Sequence, residues 1–181
     1  MDTGETLQRV KRLGLGALRR AGAFRTVRES RWRSDRLVVL CYHGVSPDRE
    51  QRWRPRLYVS PDQFRRRMEL LRDGGYRVLP LGEALRRLDE GSLPERSVAL
   101  TFDDGFHDFY ARAYPIIEEF GYPVTVYLTT YYCLKRRPVF PLACDYVLWE
   151  GGDRLRQGVE LMGETFDLDL RSAEGRARAL A

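Results

Sequence analysis

Between residues 37 and 130, short apolar runs alternate with helix-patterned stretches, and this alternation constrains the fold more than any other feature of the chain. The runs are LVVLCY (37–42), YRVLPL (76–81), SVALTF (97–102) and PVTVYLT (123–129). Each is short and rich in β-branched or aromatic residues, so each reads as a strand. Between the first two, Ser60 is a helix N-cap with Pro61 at the first helical position. Phe64, Met68 and Leu71 then recur at helical spacing, and Gly74-Gly75 stops the helix. GEALRRLDEG forms a shorter helix ending at Gly91. After the third run, Phe109, Ala113, Ile116, Ile117 and Phe120 keep a helical period up to Gly121, with Pro115 expected to divide it into two short turns. Strands alternating with helices imply parallel pairing through right-handed crossovers, as an α/β sheet or part of a barrel. The unbroken apolar run 37–42 predicts a strand covered on both faces, with Cys41 as a buried free thiol.

In such sheets ligands collect at the carboxyl ends of the strands. His43 follows the first run, and Asp103 and Asp104 follow the third, so all three project from one rim. The stretch SVALTFDDGFHDFY ends its apolar half abruptly at these two adjacent acids and Gly105. An Asp-Gly pair is an ordinary strand terminator. The alternative is a site in which the two acids have different tasks.

The chain has 181 residues, 43% of them apolar and 12% aromatic, which suits a single domain with a core. The net charge of +5 is unevenly spread. Residues 1–36 hold ten basic and four acidic residues, leaving 21 basic against 22 acidic in the rest. A body this balanced gives no electrostatic footprint for nucleic acid. The three cysteines, Cys41, Cys133 and Cys144, have no metal-type pairing and require no oxidising compartment. Arg9, Lys11, Arg12, Arg19 and Arg20 interrupt any secretion-type apolar segment, and no run approaches the ~20 apolar residues of a membrane span. Together these predict a cytoplasmic protein. Residues 7–21 place Leu7, Val10, Ala17, Leu18 and Ala21 near one helical face among arginines, as a peripheral contact with an anionic membrane would. Gly14 and Gly16 weaken that helix and favour the alternative, a solvated or packed extension.

Past residue 130 the rhythm fails. The stretch from 131 to 153 is aromatic-rich and broken by Pro138 and Pro141. VELMGETFDLDL (159–170) reads as a small hairpin around Gly163-Glu164, and Ser172 as the cap of a final helix. The expected organisation is a basic extension over 1–36, an α/β segment over 37–130 and an insertion-like segment over 131–181, with the chain expected to be cut short within a helix.

LCYHGV, YVSPDQFRRRMELLRDGGYRVLPL, VALTFDDGF and YPIIEEFGYPVTVYLTT, in this order, resemble the polysaccharide deacetylases of carbohydrate esterase family 4. The resemblance runs from about 37 to 130 and implies the N-terminal portion of that family's (β/α) barrel, with roughly four of about seven strands. It implies a hydrolase that removes acetyl groups from N-acetylated, or O-acetylated, polysaccharide or oligosaccharide. By the same resemblance Asp103 is the general base and Asp104 a ligand of a divalent metal, zinc; His43, placed on the same rim by its position after the first strand, lines the substrate cleft or hydrogen-bonds within it. The chemistry is coherent, because a metal-polarised water attacks the acetyl carbonyl while a neighbouring carboxylate takes its proton. Amide groups beyond Gly105 are candidates for stabilising the oxyanion.

The pattern also breaks. The family's metal site takes two further ligands from a His-x-x-x-His motif, and its general acid and base-orienting residue are a later His and Arg. This chain has only His43 and His107, at neither position. An inactive N-terminal fragment is therefore one expectation. Another is a non-catalytic carbohydrate-binding or membrane-surface module on the same scaffold. Replacement of the missing ligands by His43 and His107 is a weaker option, and so is an unrelated α/β hydrolase, since no G-x-S-x-G elbow occurs. Trp53, Tyr58, Tyr131, Tyr132 and Trp149 offer rings for stacking on sugars, against the more ordinary role of packing.

Overall fold

The structure, a computed structural model, describes residue 11, residues 13–18, 20–23 and 26, and residues 36–135, 138–152, 155–161 and 164–179. Its centre is the strand β5 (Ser97–Phe102), every residue of which is buried. Strand β1 (Val38–Tyr42) runs parallel along it, from Val38 opposite Val98 to Tyr42 opposite Phe102. Strand β4 (Arg77–Val78) pairs in parallel with the first two residues of β5, and β6 (Thr125–Val126) with its last two. Because β1 occupies one edge of β5, β4 and β6 share the other. That sharing is why the runs 76–81 and 123–129 form only two ladder residues each. A second parallel pair joins β2 (Gly44–Val45) to β3 (Tyr58–Val59), with the one-turn helix α1 (Glu50–Trp53) between them. Strands this short leave no periodicity in a sequence.

One face of the sheet is covered by helices. In α2 (Pro61–Asp73), Ser60 caps the N-terminus by accepting a hydrogen bond from the Gln63 amide at 3.3 Å, and Phe64, Met68 and Leu71 are buried. Helix α3 (Leu81–Asp89) leads into β5. After β5, a π-helical turn (Phe109–Ala113) passes into α4 (Tyr114–Phe120). Pro115 sits in the first turn of α4, so the expected division falls where proline's missing N–H costs nothing. Tyr42, Phe64, Phe102 and Phe109 form a chain of ring contacts with centroids 4.9–5.7 Å apart, and Leu100, Ile116 and Ile117 complete this core.

The other face is open at β1. Val39 is 46% exposed and Cys41 is exposed, whereas Tyr42 is buried. Coverage on both faces, and a buried Cys41, are therefore corrected. The run is apolar throughout, but only the face toward α2 is packed.

Beyond β6 come α5 (Thr130–Lys135) and α6 (Phe140–Glu150), then the antiparallel hairpin of β7 (Leu155–Leu161) and β8 (Glu164–Asp169), and α7 (Ala173–Ala179). The hairpin is as expected, though its tip at 162–163 lies outside the described residues. Ser172 Oγ accepts from the Gly175 amide at 2.9 Å, as a cap should. Pro141 opens α6 rather than breaking the chain there. In the N-terminal arm residues 13–18 are helical, and Ala17, Leu18 and Ala21 are exposed. Leu7 and Val10 lie outside the described residues. Among the described residues no helix is long and apolar enough to cross a membrane.

Candidate active site

The parallel register assembles the rim. Cys41 and His43 stand two residues apart, so their side chains leave β1 on the same side, away from the helix-packed Tyr42. The ladder continues one residue past β5, where the Asp103 amide donates to the Tyr42 carbonyl at 2.8 Å. That bond sets Asp103 beside the two β1 residues. The Cys41 thiol donates to Asp103 Oδ2 at 3.1 Å, and His43 Nε2 lies 3.7 Å from the same oxygen. The His43 and Asp103 side chains are each 36% exposed, so the carboxylate can reach a reactant while held from one side. Partial burial and the hydrogen bond to Asp103 push the Cys41 thiol pKa upward.

The adjacent acids point to different neighbours. Asp104 and Gly105 both adopt left-handed backbone, with φ of 67° and 65°, and the Gly105 amide closes the turn on the Asp103 carbonyl at 2.9 Å. Aspartate tolerates this region better than most residues. At 105 the positive φ favours glycine, and a Cβ would also press on the end of the Leu128 side chain. The turn carries Asp104 toward the chain leaving β6, where the Thr129 hydroxyl donates to its Oδ1 at 3.4 Å. The stretch is thus both a tight turn and a partly exposed pair of carboxylates. Asp103 bonds a thiol and Asp104 a hydroxyl. His107 is exposed at the start of the following helix.

Asp108 escaped the sequence reading. It is only 6% exposed, and its Oδ2 accepts the Val45 amide at 2.6 Å, tying β2 to the segment that follows the acid pair. Burial raises its pKa to about 6, and burial with the nearby Asp108 charge raises that of Tyr58 to about 12. A Cβ on Gly44 would press on both the Tyr58 ring and the Asp108 carboxylate. In sequence, an acid in a first helical turn looks like an ordinary dipole partner, so nothing marks it as interior.

The aromatic candidates divide. Trp53 packs against Tyr58, Tyr146 and Trp149 at 5.1–6.4 Å, and Tyr58 stacks on Phe106. Trp53, Tyr58, Phe106 and Tyr146 border an apolar cavity of about 300 Å³ between α1 and α6. Tyr131 and Tyr132 meet edge-on at 5.3 Å near α5.

The metal set implied by the resemblance, one Asp and two His, does not fit the residues present. Asp104 is its single member here, and its carboxylate is bonded to Thr129. Among the described residues the donor atoms that do converge belong to Cys41, His43 and Asp103, all within 4.8 Å of one another.

Comparison with known proteins points one way. Residues 90–163 match the polysaccharide deacetylase family model. The poly-beta-1,6-N-acetyl-D-glucosamine N-deacetylase of Escherichia coli (strain K12) is 33% identical over 98 residues, covering 52% of this chain and 14% of that protein. The enzyme of the same name from Staphylococcus aureus (strain MSSA476) is 35% identical over 72 residues, covering 40% of this chain and 25% of that protein. The solved Streptococcus pyogenes deacetylase PplD, in complex with acetate, is 35% identical with a TM-score of 0.45, covering 50% of this chain and 41% of that one. The chain therefore spans a quarter or less of the length of these two curated relatives.

Proposed function

We propose that this chain, whose middle carries part of a polysaccharide deacetylase domain, belongs to a hydrolase that cleaves the amide carbon–nitrogen bond of N-acetylated polysaccharide and releases acetate. The parallel sheet is, on this reading, part of a (β/α) barrel, residues 131–181 an insertion, and the arm 1–36 an extension of a cytoplasmic protein with a membrane-peripheral option through residues 7–21. The observation that carries the proposal is the half-exposed Asp103 carboxylate at the carboxyl end of the buried β5. Asp103 is the general base that takes the proton of the attacking water. The Cys41 thiol holds its carboxylate in place from the β1 side, and His43, 3.7 Å from the same oxygen, lines the substrate cleft. A carboxylate within reach of the reacting water contributes roughly 10²–10⁴-fold in rate. A zinc-class divalent cation belongs to the proposal as a cofactor of the whole enzyme, and this chain supplies Asp104 to its family-type ligand set.

Acetate release from N-acetylglucosamine oligomers tests the reading. The 181-residue chain with added zinc is expected to show negligible turnover. An open reading frame continuing past Ala181 with a His-x-x-x-His motif should encode an active product, and Asp103→Asn should lower its kcat at least a hundredfold. Unchanged kcat in that variant would remove Asp103 from the chemistry. Turnover by the 181 residues alone, lost with Asp103→Asn, would overturn the expected incompleteness. A stop codon at that point would favour the non-catalytic carbohydrate-binding module.

A further inference from the structure

We infer that Cys41, His43 and Asp103 form a binding site for a thiophilic divalent cation of the zinc class, distinct in ligand set from the one implied by the family and not including Asp104. The argument is geometric. Cys41 leaves β1 and His43 stands two residues on, just past the strand's end, while Asp103 is fixed to that strand by its backbone bond to Tyr42. The frame is the buried β5 ladder, so the three donors are held before any ion arrives. With zinc–sulfur near 2.3 Å and zinc–nitrogen and zinc–oxygen near 2.0–2.2 Å, tetrahedral ligation places sulfur and oxygen about 3.6 Å apart, and nitrogen and oxygen about 3.4 Å. The observed separations are 3.1 Å for Cys41 Sγ to Asp103 Oδ2 and 3.7 Å for His43 Nε2 to Asp103 Oδ2. The third pair, Cys41 and His43, lies within 4.8 Å, and rotation about the side-chain χ angles is what closes the triangle on an ion. Sulfur, imidazole and carboxylate together select zinc or cobalt over magnesium or calcium, which prefer oxygen alone. Three protein ligands leave a fourth position open on the exposed side.

Binding balances simply. The thiol proton is released to solvent, and thiolate sulfur, imidazole nitrogen and carboxylate oxygen each donate a lone pair to the cation. On the reading of Asp103 as the base, which this consequence alone depends upon, occupancy engages the oxygen that would accept the water's proton. The site is then one at which a thiophilic cation switches hydrolysis off.

The test is independent of turnover. The 181-residue chain is titrated with Co²⁺ and followed by absorption, with Zn²⁺ as competitor. The expected result is one Co²⁺ per chain, a near-ultraviolet thiolate-to-cobalt charge-transfer band, and displacement by Zn²⁺ but not Mg²⁺. Cys41→Ser should abolish the band and weaken binding at least tenfold, and His43→Gln should weaken it similarly. Cys133→Ser and Cys144→Ser should leave both unchanged. Cys41 is exposed, so its serine variant removes no core contact, and an unchanged circular dichroism spectrum checks its fold. No Co²⁺ binding, or binding without the charge-transfer band, overturns the inference. So does a band that survives Cys41→Ser and disappears with Cys133→Ser or Cys144→Ser. Binding lost with Asp104→Asn and retained in Cys41→Ser would assign the ion to the family-type position instead. Failure of the base assignment would appear only in acetate release, and failure of the cation site only in these spectra.

Discussion

The two faces of the β1–β5 sheet are made from one alternating sequence and do opposite things. Toward the helices go Leu40, Tyr42, Val98, Leu100 and Phe102, which join Phe64, Met68 and Ile117 in the core. Toward the other side go Val39, Cys41 and His43, with Asp103 at the end, and here the chain keeps its exposed and reactive groups. A strand period of two separates stability from chemistry by a single residue. The rim is rigid because the face behind it is packed, and it is reachable because β1 is open on its own side, although Ala99 and Thr101 of β5 are buried there.

The helix-covered face should carry the large energetic effects. Phe64 is fully buried and touches the rings of both Tyr42 and Phe102. Phe64→Ala is expected to cost about 3–5 kcal/mol by urea denaturation, the range for removing a buried aromatic side chain. A loss below about 1 kcal/mol would mean the two faces are not energetically distinct.

What the sequence revealed follows the same division. Helix α2 was legible residue by residue, since a cap, a proline, three apolar positions and two glycines all agree there. Strand β5 was legible to its ends, because burial on every side leaves a run of apolar and small polar residues with no charge until Asp103. Strand β1 misled. Val39 and Cys41 are apolar enough to look interior, and only pairing decides that their side is open. The rim positions of His43, Asp103 and Asp104 followed from strand order alone. That Cys41 joins Asp103 did not, because a residue apolar by type carries no mark of its partner 62 positions away. Asp108 was illegible for the converse reason, as a charged residue whose burial only tertiary packing creates.

Asp108 also sharpens the comparison, as an interior acid within five residues of the half-exposed Asp103. Its carboxyl titrates at 3.8 when unfolded and at about 6 when folded, because burial disfavours the charge. The neutral form is therefore favoured by folding. Its contribution is complete below about pH 4 and is lost as the pH rises through about 6, at most roughly 3 kcal/mol at 1.36 kcal/mol per pH unit. Asp108→Asn keeps an oxygen acceptor for the Val45 amide but cannot ionise. Stability measured by urea denaturation between pH 4 and 7 should fall less steeply in this variant than in the wild type. Parallel profiles would show that Asp108 is ionised and solvated in the folded protein, against its buried position.

The smallest effect belongs to the open face. Val39 lies between the half-buried Val38 and Leu40 of β1 and is itself 46% exposed, so threonine there swaps a methyl for a hydroxyl that water can reach. Both residues are β-branched and suit a strand equally. Val39→Thr is expected to change stability by no more than about 0.5 kcal/mol. At a packed position the same exchange buries an unpaired hydroxyl and costs about 1–3 kcal/mol. A cost in that higher range would show that the face is covered in solution, and a surface that covers Val39 would also shield Cys41, two residues along the same side of the strand. Urea denaturation of Val39→Thr thus asks, with one substitution, whether the rim that holds Asp103 is open to a polymer.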